Sequence, residues 1–309
     1  MTVRQMAVLT AVFVALVILS LSLQSPFDAM MMRLAGEEEE FRLIEQLSKY
    51  LLLLTMASGV LGCRAAHSSP QRQAGIALLL FGALLYFGDS NFINEKCQPL
   101  FGAVLTPYVL VQCHRARSRL WTVLLVGCGL IGLGLVGDLL NDRRIAAPSL
   151  PGLDAILRIA ATKEDLLEVL GTAWIAYGAL GVFRDEWAQL VKKRGWAVAG
   201  LLVALAAIAV GNGFLHHQYS TGIRVRFAGL VMSLAGVAAV YGVNTRWLHE
   251  DAVLLPSRGT FYYHLFLIFG VLPSIYEGMH SLMNLVVWGL VFLWWWAALE
   301  RFDRLQRRA

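Results

Sequence analysis

The chain has 309 residues, of which 58% are hydrophobic and 15% charged, with a mean hydropathy of +0.62. Soluble domains carry about 25% charged residues, and here the charges sit in breaks between long apolar runs, a pattern that argues against an ordinary soluble domain. The formal net charge of +5 does not call for a nucleic acid partner, because the basic residues gather at alternate breaks.

Apolar runs of this kind read as transmembrane helices, since about 20 residues rising 1.5 Å each cross the hydrocarbon core. The runs fall at 6–23, 43–62, 74–89, 98–113, 120–140, 165–183, 196–213, 227–244, 260–274 and 280–299. The expected fold is an all-α polytopic membrane protein of about ten spans, or nine if one of the short runs does not cross. No break is long enough for a separate soluble domain, so residues 1–309 form a single transmembrane domain.

In chain order, Arg4 and the first run resemble a signal peptide but lack a small-residue cleavage site, and a retained first helix is expected. The loop after it carries Met30-Met31-Met32 and then Glu37 to Glu40, acids suited to the start of the second helix. Glu45 and Lys49 continue into that helix one turn apart, in the favourable order for an ion pair. The loop after the third run holds Asp89, Asn91, Asn94 and Glu95, oxygen-bearing side chains able to line a pocket mouth. The fifth run carries Gly127, Gly129, Gly132, Gly134 and Gly137 around its circumference, which predicts close packing and a place in the middle of the bundle.

That run ends in Asp138 and Asp142, four apart, and the sixth opens with Glu164 and Glu168, also four apart. Residues at this spacing share a helix face, so four carboxylates are expected at one bilayer surface. Asp165 and Glu164 follow Thr162 at a helix start, where acids are favoured. Asp138 sits at a helix C-terminus, where the dipole disfavours an acid, and needs a compensating arginine or cation. Glu168 lies a turn inside its span, where an ionisable group is costly and often functional. Between them, 141–163 reads as an extracytoplasmic loop with a short interfacial helix around Leu153 to Ile159, placed to cover the cluster.

The seventh run ends near Asn212, His216 and His217, and Glu277 and His280 flank the tenth. Histidine with carboxylate suits a divalent metal such as zinc, and these four residues are the metal-ligand candidates. Cys63, Cys97, Cys113 and Cys128 have no metal-type spacing and read as free buried thiols. Trp294-Trp295-Trp296 near Glu300 and Arg301 forms an interfacial belt.

With ten spans and the N-terminus inside, most of the 26 basic residues fall on one side and most of the 21 acids on the other. Excess Lys and Arg in short loops marks the cytoplasmic side, so both termini are expected there, in the inner membrane. The basic surplus then meets anionic lipid. Such a chain is expected to be transporter-like, handling a small or lipid-like substrate through an acidic extracytoplasmic pocket. Asp138, Asp142, Glu164, Glu168, Asp89 and Glu95 would line that pocket. The alternatives are a membrane-embedded hydrolase or transferase acting on a lipid-like substrate, and a non-catalytic subunit of a larger membrane complex. The expected partners are the lipid bilayer and other membrane subunits.

Overall fold

Six helices, joined by tight turns wherever the connection can be followed, make up the described part of the chain. The computed structural model describes residues 43–65, 68–88, 98–117, 120–141 and 164–216, with isolated positions within 15–29 and 228–239. The helices are α1 (Leu43–Ala65), α2 (Ser69–Gly88), α3 (Gln98–Ala116), α4 (Trp121–Asn141), α5 (Glu164–Val182) and α6 (Arg184–His216). No strand occurs among the described residues.

Local sequence sets the ends. Ser68 precedes α2 in the pattern S-x-x-Q: its hydroxyl donates to Gln71 Oε1 at 2.9 Å and accepts from the Gln71 amide at 3.4 Å. This is a variant of the capping box, with Pro70 early in the first turn, where its missing N–H costs nothing. The α3–α4 turn is closed by the Leu120 amide donating to Arg117 O at 3.0 Å. Above it, His114 meets the edge of Trp121 with ring centroids 6.0 Å apart. A single residue, Phe183, separates α5 from α6.

Among the described helices, α1 lies in the middle. From Leu52 to Cys63 every residue is buried, and α1 packs against α2, α5 and α6. Among the described helices, the glycine-rich α4 does not take the central place its composition suggests. It packs mainly on α5, while Leu125, Val126, Gly129 and Gly132 lie exposed. The physical reason is that only one glycine face is used. A Cβ on Gly127 would lie 2.8 Å from Gly171 O, and one on Gly171 equally close to Gly127 O, so two bare backbones touch there. Gly129 and Gly132 have open space instead.

α6 begins earlier than its apolar run. Residues 184–193, expected as a loop, are helical, and the path breaks at Arg194, with φ −144° and ψ 46°. Within this 33-residue element, Arg184–Gly211 is the one stretch among the described residues long and apolar enough to cross a membrane by length and composition. Trp121–Gly137 and Leu166–Val182 are shorter apolar helices.

Large apolar side chains lie on the surface, and a mainly apolar interior also takes in several polar ones. Val104, Val203 and Trp196 are 66%, 70% and 57% exposed, while Gln46, Ser48, Lys49, Thr55, Ser58 and Thr172 are buried. Thr55 and Ser58 satisfy their hydroxyls on the carbonyls of Leu51 and Leu54, at 2.9 and 2.8 Å, a way to bury a hydroxyl without a partner helix.

Candidate functional site

The site grows from one end of α1. α2 and the far part of α6 run against α1, with Gly59 on Gly75 and Gly213 on Gln46. α5 runs alongside α1 in the same sense, with Ser48 beside Glu168 and Gly62 beside Phe183. The first turns of α1 and α5 and the last turns of α6 therefore meet at the same end.

There, Ser48 donates its hydroxyl to Glu168 Oε1 at 2.7 Å. Ser48 Oγ also stands 3.4 Å from Thr172 Oγ1, but a hydroxyl has one proton, and the shorter contact to the carboxylate takes it. Thr172 uses its own proton on Val169 O, at 3.0 Å. Glu168 is half-buried, whereas Ser48 and Thr172 are closed off from solvent. On adjacent faces of α1, Lys49 is 5% exposed and Gln46 likewise. The Gln46 carboxamide rests on Gly213, where any Cβ would overlap it, and its Oε1 is buried without a hydrogen-bond partner. The end of the bundle thus holds a carboxylate, an amide and a lysine among apolar helices.

Four of the residues expected at the site fall within described helices. Glu168 is at the centre of this polar group. Asp138 in α4 and Glu164 in α5 are placed by their helices. The antiparallel register runs through Leu124 against Gly178 and Gly127 against Gly171. Continued for two or three turns, it brings positions 138 and 164 level, one turn beyond Glu168. Position 216 closes α6. Asp142, Asp89, Glu95, His217, Glu277 and His280 lie outside the described residues, as does the expected loop 141–163 beyond Asn141. Among the described residues no three His, Cys, Asp or Glu side chains gather as a metal site.

Sequence reasoning passed over Gln46, Ser48 and Thr172. The signal was there in Thr172, one turn after Glu168 on the same face. A carboxylate inside an apolar helix needs donors from its neighbours, and small hydroxyls on adjoining helices are the residues to seek.

The opposite end carries a different network. Trp187 Nε1 donates to Ser58 Oγ at 3.1 Å, which ties the start of α6 to α1. Arg117 pairs with Asp185 and donates to Gly181 O at 3.3 Å, and Arg184 Nε and Nη2 both reach Asp185 Oδ1 at 3.2 Å. Hydrogen bonds from Arg117 and Arg184 hold the Asp185 carboxyl below its ordinary value. Arg72, Arg115, Arg117, Arg184, Lys192, Lys193 and Arg194 all belong to this end, where the acids are Asp185 and Glu186. The Glu168 end holds Glu45, Asp138, Glu164 and Asp165 against Lys49. Among the described residues, most acids therefore lie at one end and most bases at the other.

No family model matches the chain, and neither a curated protein nor a solved structure matches it.

Proposed function

We propose that the protein is a multi-pass inner-membrane protein of about ten spans that acts as a transporter-like binder of a small or lipid-like substrate. The substrate would enter at the acidic end of the bundle, facing the extracytoplasmic side, with both termini in the cytoplasm. The membrane setting is supported by the exposure of large apolar side chains such as Val104, Leu125, Val126, Trp196 and Val203 on apolar helices. The orientation is supported by the basic surplus at the far end.

One observation carries the functional reading: a half-buried Glu168 held by Ser48 between two apolar helices. Such a group is costly within a bilayer and is kept where it meets a substrate, an ion or a proton. What it offers is hydrogen-bond acceptance and negative charge, to which Gln46 Oε1 adds a second acceptor on the same helix end. Molecules bearing an ammonium or hydroxyl group fit this chemistry.

The test is thermal unfolding of the detergent-purified chain against a panel of ammonium- and hydroxyl-bearing small molecules and amphiphiles. At least one class should raise Tm for the wild type, and Glu168→Gln should abolish that rise. An equal rise in the variant would place binding elsewhere, and no rise with any member would remove the acceptor reading.

A further inference from the structure

The break at Arg194 divides α6 into two parts with different surroundings. Before it, residues 184–193 form a short amphipathic helix pinned by its inner face, where Trp187 and Leu190 are buried. After it, residues 195–215 carry no charge. At the junction Lys192 and Lys193 are exposed and Arg194 follows. Beside them Val191 and Trp196 are 51% and 57% exposed. Exposed tryptophan next to clustered lysine is the composition of a surface at the level of lipid headgroups, where an aromatic ring sits at the boundary and ammonium groups reach phosphate.

Cations at the end of a helix also complement its dipole. That role is served in any bilayer and explains neither the exposed Trp196 nor the anchoring of the segment to the bundle. Trp187 on Ser58 and the Arg117–Asp185 pair hold the short helix in place independently of lipid. The basic face is therefore presented in a fixed position and does not need to be ordered by what it binds.

We propose that residues 184–196 form an interfacial clamp for anionic phospholipid on the cytoplasmic leaflet, with Lys192 and Lys193 meeting the phosphate and Trp196 the acyl boundary. The proposal rests on the membrane reading given above, and the two can fail separately.

The full chain would be placed in nanodiscs of phosphatidylcholine alone and in nanodiscs with phosphatidylglycerol added. Hydrogen exchange of the peptide covering 184–196 would then be compared. Exchange should be roughly thirtyfold slower with the anionic lipid, the scale expected from two lysines near such a surface at about 1 kcal/mol each. The Lys192→Gln, Lys193→Gln double variant should lose that difference while exchange in residues 52–61 of α1 stays unchanged, which shows that it is folded. Trp196→Ala should weaken protection in both lipids and keep the dependence on lipid charge. Inorganic phosphate added to phosphatidylcholine discs should have no effect. Equal exchange in the two lipids, a full difference in the double variant, or protection by phosphate alone would overturn the clamp. Release of the wild-type chain from bilayers by alkaline carbonate would overturn the membrane reading and the clamp with it.

Discussion

The Ser48 hydroxyl has one proton to give, and the geometry gives it to Glu168 at 2.7 Å and not to Thr172 at 3.4 Å. Ser48→Ala removes that donor from a carboxylate already partly withdrawn from water. An interhelical hydrogen bond in lipid averages about 0.6 kcal/mol, whereas a buried acceptor left unsatisfied costs about 1–3 kcal/mol. Glu168 is only half-buried, so a loss of about 1 kcal/mol, nearer the lower figure, is expected. Thermal unfolding in detergent would read it as a lower Tm, and an unchanged Tm would mean the bond contributes nothing. Gly62 offers the opposite kind of change. A methyl there would overlap the ring of Phe183, which is fully buried. Gly62→Ala should destabilise by about 1–3 kcal/mol through overpacking, with a lower Tm as the check.

Among the elements, the helix positions were largely legible and their packing was not. Runs at 43–62, 98–113, 120–140 and 165–183 match α1, α3, α4 and α5 to within a few residues, because a long apolar run with charges at its ends has few other ways to fold. The start of α6 was hidden: Arg184 to Arg194 mixes charge with Trp187 and Leu190, and its helical nature depends on those two side chains finding the bundle. The central place of α1 was hidden too, since Leu51 to Leu54 looks the same whether it faces lipid or protein. Glycine number misled for α4, where only the face of Gly127 meets another backbone.

The α5–α6 junction also has a pH signature. Arg117 and Arg184 lower the Asp185 pKa below its ordinary value of 3.8. A depressed folded-state pKa contributes stability above the unfolded value, and that contribution is lost as pH falls through the folded one. Asp185 is exposed, so the effect is small and screened by salt. Wild type should therefore exceed Asp185→Asn in Tm above about pH 4 at low salt. The gap should close as pH is lowered further or salt is raised. A gap that widens on acidification would contradict the pairing.

At the scale of the whole molecule, the sorting of charge among the described residues is the observation from which both proposals follow. The sequence carried it in the alternation of acidic and basic breaks. The polar group at the acidic end was only half visible there. Glu168 stood out as an acid inside an apolar run, but the residues that hold it come from α1, 120 positions away in the chain. Pairing across that distance depends on α1 and α5 lying side by side in the same direction, which hydropathy does not encode.

The most direct test is the side of the membrane each end faces. Glu164→Cys and Lys192→Cys, made separately in a chain whose four cysteines are replaced by alanine, would be exposed in intact cells to a maleimide that cannot cross the membrane. Position 164 should be labelled from outside, and position 192 only after the membrane is permeabilised. Labelling of both from the same side, or of 192 alone from outside, would contradict the account.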